Sequence, residues 1–275
     1  MTAKSVLTDR VDVELEKEGA MRTEVSTGDP ARISVPAAFL AIGSAVAALA
    51  LLASLHVLSP EYSPAWRMVS EYANGHYAWV LSLMFAAYGL SSLALAFAIR
   101  SQVRSRKGKI GLAALVISGI GQAAAAVFDL NQALLHELAG VLGIVALPLG
   151  AMLISVALAR TPEWANNRRQ LLWAANLTWI SLVLWMASFA VMVATFMHAL
   201  GALPSTPPQQ VPPGVFAVVG WTNRLLVVSA WAWVTIVAWI AIRVRWTAVS
   251  RSSLHRSSAS RELETEVATG VTAAR

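Results

Sequence analysis

Cysteine is absent from this 275-residue chain, and charged residues make up only 13% of it. The first absence excludes disulfides, thiolate catalysis and iron–sulfur ligation. The second argues against an ordinary soluble domain, in which about 25% of residues are charged. Several catalytic signatures are missing as well. There is no G-x-S-x-G, no phosphate-binding glycine loop, no EF-hand loop and no H-E-x-x-H or H-x-x-x-H spacing.

What the chain does have is apolar length: hydrophobic residues account for 57% of it. They collect in six stretches, Pro36–Leu58, Tyr77–Ile99, Ile110–Phe128, Leu135–Leu158, Leu171–Met197 and Val215–Ile242. Each is near the roughly 20 residues that a helix needs to cross about 30 Å of hydrocarbon. Barrel strands would be shorter and would alternate in polarity. The expected fold class is therefore all-α, an integral membrane six-helix bundle over residues 35–244. Residues 1–34, with Asp12, Glu14, Glu16, Glu18 and Glu24, read as a disordered acidic cytoplasmic tail. Residues 245–275 read as a flexible cytoplasmic tail, and a short helical turn is allowed in either. With about 35 mostly polar residues ahead of the first apolar run, no cleavable signal peptide is expected.

The net charge of +6 sits beside the spans. Arg100–Lys109 holds five basic residues, Ala159–Gln170 holds three, and Arg243, Arg245, Arg251 and Arg256 follow the last span. On the other side Ser59–His76 holds only Arg67, and the two remaining loops hold none. The positive-inside rule then places both termini in the cytoplasm, with the spans in a plasma membrane. It also makes nucleic acid an unneeded partner for the basic charge. Membrane lipids, and a membrane-protein partner, are the partners to expect. Trp66, Trp79 and Trp221 near the outer boundary, with Trp164, Trp173, Trp239 and Trp246 near the inner one, read as interfacial anchors. Trp179, Trp185, Trp231 and Trp233 read as packing between helices.

Small residues punctuate spans three and four: Gly111, Ser118, Gly119, Gly140 and Gly143. They predict a tight antiparallel hairpin, because close backbone approach drives helix association in lipid. Pro148 predicts a kink in span four.

His56, His76, His136 and His198 all fall at the sparsely charged end. His56 stands alone there and reads as interfacial. Ser63-Pro64 reads as a helix start. Trp66, Val69, Ala73 and Tyr77 follow at helical spacing, so a short amphipathic helix is expected, either an interfacial anchor or a lid that carries Glu71 and His76 to a site. Arg224, roughly ten residues into span six, should face the protein interior and have a partner. Asp129 is the preferred one, with Glu137 as the other nearby carboxylate. Asp129, His136, Arg224, Glu71 and Glu137 thus form the candidate functional polar cluster. A zinc reading takes His76, His136, His198 and Asp129 as ligands that would activate water. A haem reading takes His56 and His136 as axial ligands. A structural reading has these groups satisfy one another.

Tyr62-Ser63-Pro64, Val69-Ser70-Glu71-Tyr72, Gly75, Tyr77-Ala78-Trp79, Phe128-Asp129, His136 and Gly220-Trp221-Thr222-Asn223-Arg224 together carry a resemblance. Over about residues 35–244 the chain resembles a widespread bacterial six-span family, the domain of unknown function numbered nine-nine-eight. The resemblance implies the fold and brings no activity with it. A weaker similarity is to membrane hydrolases related to alkaline ceramidase, which use Ser, Asp and three His around zinc. Ser70, Asp129, His136, His76 and His198 are the matching residue types. Those enzymes have seven spans and a late paired-histidine motif, and this chain has neither. Three functions follow in order: binding of a lipid or partner at the outer mouth, a zinc-dependent hydrolase of a lipid amide or ester, and a small-molecule or proton-coupled transporter. No inverted repeat supports the third.

Overall fold

The computed structural model describes residues 30–128, 132–202, 208 and 210–273; beyond Ser250 it describes backbone alone, Ser253 apart. Six helices are long and apolar enough to cross a membrane. They are α1 (Val35–Leu58), α2 (Ala78–Ile99), α3 (Arg106–Ala125), α4 (Ala133–Leu158), α5 (Arg168–Leu200) and α6 (Val219–Ala273). Within α6 the candidate span is Val219–Ser250, and its apolar run closes at Ile242, before Arg243. No strand occurs among the described residues, as the absence of alternating patterns requires. The acidic segment up to Asp29 lies outside them.

The helices pack as a ring in chain order, α1 to α6 and back to α1, with α6 also touching α2. In α6, 67% of the most apolar window is buried, against 22% in α5. The last helix is thus the hub, and α5 turns most of its surface outward. Two clusters fill the bundle. One, around Leu95, Ile99, Trp164, Leu171, Trp233 and Val237, lies toward the basic end. The other, around Leu52, Leu55, Tyr72, Met84, Tyr88 and Trp231, lies toward the opposite end.

Local chemistry sets the boundaries. Pro36 sits in the first turn of α1, where a missing N–H costs nothing. Ser105 caps α3, its hydroxyl accepting from the Gly108 N–H at 3.1 Å. Gly201, at φ 73°, ends α5 in a left-handed turn that glycine adopts without strain. The indoles divide differently from the expectation. Trp79, Trp173, Trp221, Trp239 and Trp246 are exposed, as interfacial anchors should be. Trp66 and Trp164 are buried instead, because each lies in a loop folded back onto the bundle.

The α3–α4 hairpin is as tight as predicted, though not through all the predicted residues. A methyl group on Gly121 would lie 2.6 Å from the Gly143 nitrogen, and one on Gly111 would lie 3.0 Å from that of Ile154. The Ser118 hydroxyl donates to the Gly143 carbonyl at 2.7 Å. Gly119 faces Gly89 and Leu93 of α2, and Gly140 faces open space. Gly121→Ala should therefore destabilise the bundle by about 1–3 kcal/mol through overpacking. Gly140→Ala should be neutral or slightly stabilising, since it adds helix propensity without a clash. Unfolding midpoints in detergent would show the contrast; equal midpoints for the two variants would contradict it. Pro148 lies buried within α4, which continues through it as one helix from Ala133 to Leu158.

Candidate functional site

The segment from Ser59 to Tyr77, joining α1 to α2, closes the sparsely charged end of the bundle. The predicted helix from Ser63-Pro64 is not what forms. Ser63 opens a turn, its carbonyl accepting from the Arg67 N–H at 3.0 Å. A 3₁₀ helix follows over Val69–Asn74. Its start is fixed by Glu71, whose Oε1 accepts from the Met68 N–H at 2.8 Å, the reach-back of a capping box. Trp66, Val69 and Tyr72 are buried, with Tyr72 1% exposed. An anchor lying in the interface would keep one face open, so this segment is a plug seated in the bundle mouth.

Arg224 holds the plug. Its helix begins at Val219, four residues later than the hydropathy suggests, so Arg224 sits only five residues, about 7.5 Å, into α6. It is 5% exposed, as an ionised group in this setting should be. Its Nη1 donates to the carbonyls of Arg67 at 2.7 Å, Gly220 at 3.0 Å and Pro64 at 3.3 Å. Its Nη2 donates to the Tyr72 hydroxyl at 3.1 Å, and its Nε to His56 Nε2 at 2.7 Å. None of these five partners is a carboxylate. Backbone dipoles and two polar rings disperse the charge, in place of the expected acid; Asp129 itself lies outside the described residues.

His56 is therefore not a bystander at the interface. Its Nδ1 lies 2.7 Å from the Leu52 carbonyl and must carry the ring proton, leaving Nε2 to accept from Arg224. That bond ties α1 to α6. Its ring meets the Tyr72 ring edge-on at 6.0 Å.

A second arginine faces the other way. Arg67 pairs with Glu71 at 2.6 Å and donates to the Pro208 carbonyl at 2.6 Å, which ties the α5–α6 loop onto the plug. Its guanidinium stacks 4.1 Å from the Trp66 ring centroid. Burial first, and the Glu61 carboxylate second, push the neighbouring Tyr62 hydroxyl above the ordinary phenol value. It stays a neutral O–H. Asn223, one residue before Arg224, accepts from the Val69 N–H at 2.9 Å through its side-chain oxygen.

Beneath the plug lies a cavity of about 110 Å³ between α2, α3, α4, α5 and α6. Apolar side chains such as Phe85, Ile144, Leu147 and Leu226 form most of its wall, and Ser70, Gln122, His136 and Asn223 supply polar points. Gln122 is held by Ser92 and Ser118, at 3.1 and 2.8 Å. His136 Nδ1 lies 2.8 Å from the Phe128 carbonyl. Trp185 also lines the cavity, and its indole N–H is buried with no acceptor among the described residues. A buried donor without a partner costs about 1–3 kcal/mol, so this is a place where an acceptor would be welcome.

The structure thus brings Arg224 and Glu71 to one plug, and His136 to the cavity below it. Glu137 is exposed, as are His76, beside the Tyr77 ring, and His198, near the end of α5. Among the described residues no three histidine or carboxylate groups come close enough to hold a metal. The residues that sequence reasoning passed over are His56, Tyr72 and Asn223 as holders of the plug, and Gln122 and Trp185 in the cavity.

The pieces that carry this arrangement all fall within one stretch. The family model described as "Protein of unknown function (DUF998)" matches residues 41–240. The chain belongs to that family. No curated protein and no solved structure matches it. In this member of DUF998, the Gly220–Arg224 segment and the Val69–Tyr72 segment prove to be two halves of one lock. Gly220 lets the chains approach, Asn223 caps the plug helix, Arg224 gathers its carbonyls and Tyr72 returns a hydroxyl.

Proposed function

We propose that this protein binds a membrane amphiphile in the cavity under the plug, on the outer side of a plasma membrane, with both termini in the cytoplasm. The orientation is supported by basic residues crowding the ends away from the plug, the arrangement that positive-inside insertion favours. The observation that carries the binding reading is the apolar cavity with an unpartnered Trp185 N–H. Its volume is of the order of the roughly 150 Å³ cavity that admits benzene. It suits a ring or a short branched hydrocarbon end, with a carbonyl or ether oxygen accepting from Trp185. The plug serves as its cover.

Ser70 and His136 share the cavity wall, which keeps the lipid hydrolase as a second reading. One set of measurements separates the two. Mild-detergent extraction followed by native mass spectrometry and metal analysis should find a bound amphiphile and no stoichiometric zinc. Trp185→Phe keeps the ring and loses the donor; it should weaken that binding about fivefold, the worth of one hydrogen bond. Unchanged retention in Trp185→Phe would refute the assigned donor. Stoichiometric zinc that disappears in a His136→Ala, His198→Ala double variant would replace binding with hydrolysis.

A further inference from the structure

A second concavity lies at the basic end, between α5 and α6. It measures about 410 Å³ and is lined by Trp173 and Trp239 together with Leu177, Ile236 and the buried Ala174 and Ile240. The two indoles are 64% and 47% exposed, and α5 is the least buried span of the bundle. Gln170 forms the rim at the helix start. On α5 the lining positions 170, 173, 174 and 177 mark one helical face, and Arg169, four residues before Trp173, continues that face toward the basic end. On α6 the lining positions 236, 239 and 240 do the same, and Arg243 follows Trp239 by four. The helices run in opposite directions, so Arg169 and Arg243 come to the same level from the two walls. Both are exposed. Among the described residues no carboxylate lines the groove; the acidic group nearest in the chain is Glu163 of the α4–α5 loop, one of whose oxygens is buried.

We propose that this groove is a binding site for an anionic phospholipid of the leaflet at the basic end. One acyl chain lies between Trp173 and Trp239, and the phosphate meets Arg169, Arg243 and the Gln170 amide. Charge complementarity selects the occupant. A cleft of indole and aliphatic groups takes any acyl chain, but two guanidiniums at its head favour a lipid with net negative charge over a zwitterionic one. The site is separate from the cavity under the plug, so neither reading depends on the other.

The full chain in mild detergent, titrated with phosphatidylglycerol or phosphatidylcholine of matched chains and read by native mass spectrometry, tests it. The expected result is retention of phosphatidylglycerol over phosphatidylcholine by roughly tenfold. Arg169→Gln with Arg243→Gln should abolish that preference. A control pair elsewhere on the basic end, Arg106→Gln with Arg160→Gln, should leave it intact. All four side chains are exposed, so folding is spared. Trp173→Ala should weaken both lipids equally. Equal retention of the two lipids would overturn the proposal. So would a preference that survives the Arg169, Arg243 change, or one that the control pair removes equally. A dimer that excludes lipid from the groove would overturn it too, by making a second copy the occupant.

Discussion

Arg224→Met is expected to cost about 3 kcal/mol of stability and to free the plug, the largest single-residue effect in the molecule. The substitution keeps a side chain of similar length and removes every donor. The Arg67 and Pro64 carbonyls, the Tyr72 hydroxyl and His56 Nε2 then lose their shared partner. Each buried acceptor left unpaired costs about 1–3 kcal/mol. Part of that is offset because the arginine no longer has to be desolvated. Arg224→Lys should fall between parent and methionine variant, since a point-like ammonium cannot span five partners set around a planar fork. Two readouts are needed. The unfolding midpoint should drop, and trypsin should gain a cut after Arg67, which in the parent is 8% exposed and stacked on Trp66. A parent-like midpoint with Arg67 still protected would mean that Arg224 is not what holds the plug.

The spans were legible because hydropathy over about 20 residues is a strong signal and because lipid leaves helices few alternatives. Arg224 was legible for the same reason in reverse: a cation in an apolar run must be accounted for. Its partners were not. Every residue carries a carbonyl, so a guanidinium held mainly by carbonyls leaves no mark in the sequence, and a nearby acid such as Asp129 is the natural candidate. His56 was set aside because it stands in no motif, yet its value comes from lying one turn beyond Leu52, whose carbonyl fixes the ring proton on Nδ1. The plug was half legible. Its apolar spacing showed that one face would be buried, but the start was misplaced at Ser63-Pro64. Glu71 reaching back to Met68 decides it, and a 3₁₀ helix breaks the 3.6-residue periodicity on which the reading relied. The cavity was invisible because it is a property of five helices at once.

The lock and the cavity are parts of one device. The plug's underside, Met68, Val69 and Ser70, is the cavity's roof, and Asn223 both caps the plug helix and lines the wall. Any amphiphile that enters must pass the plug or slip between helices. The ties that set the barrier come from two directions, Arg224 and Asn223 on α6 and Pro208 in the α5–α6 loop, and His56 on α1 steadies Arg224 from behind. A loop held by one helix could swing. One held from two sides has to release several bonds together before it can move.

Gly220→Ala should be nearly as damaging as the loss of Arg224, for a steric reason. A methyl group there would press into the Pro64 carbonyl oxygen and lie 2.7 Å from that of Arg67 and 2.8 Å from the Ala65 carbonyl carbon. All three are backbone atoms, which cannot rotate aside as a flexible side chain would. The start of α6 must back away from the plug. That stretches the Gly220 N–H bond to Ala65, now 3.0 Å, and pulls Arg224 from the Arg67 carbonyl. Overpacking of this kind costs about 1–3 kcal/mol. It outweighs the roughly 0.5–1 kcal/mol that alanine gains over glycine within a helix. Gly43→Ala in α1, where nothing lies within 4 Å, isolates that gain and should not lower the midpoint. The two plug variants should also fail to add. If Gly220→Ala acts by loosening the bonds that Arg224 makes, the Gly220→Ala, Arg224→Met double variant must lose less than the sum of the single losses. Strict additivity would show that Gly220 and Arg224 act on separate parts of the fold, and the single lock described above would have to be given up.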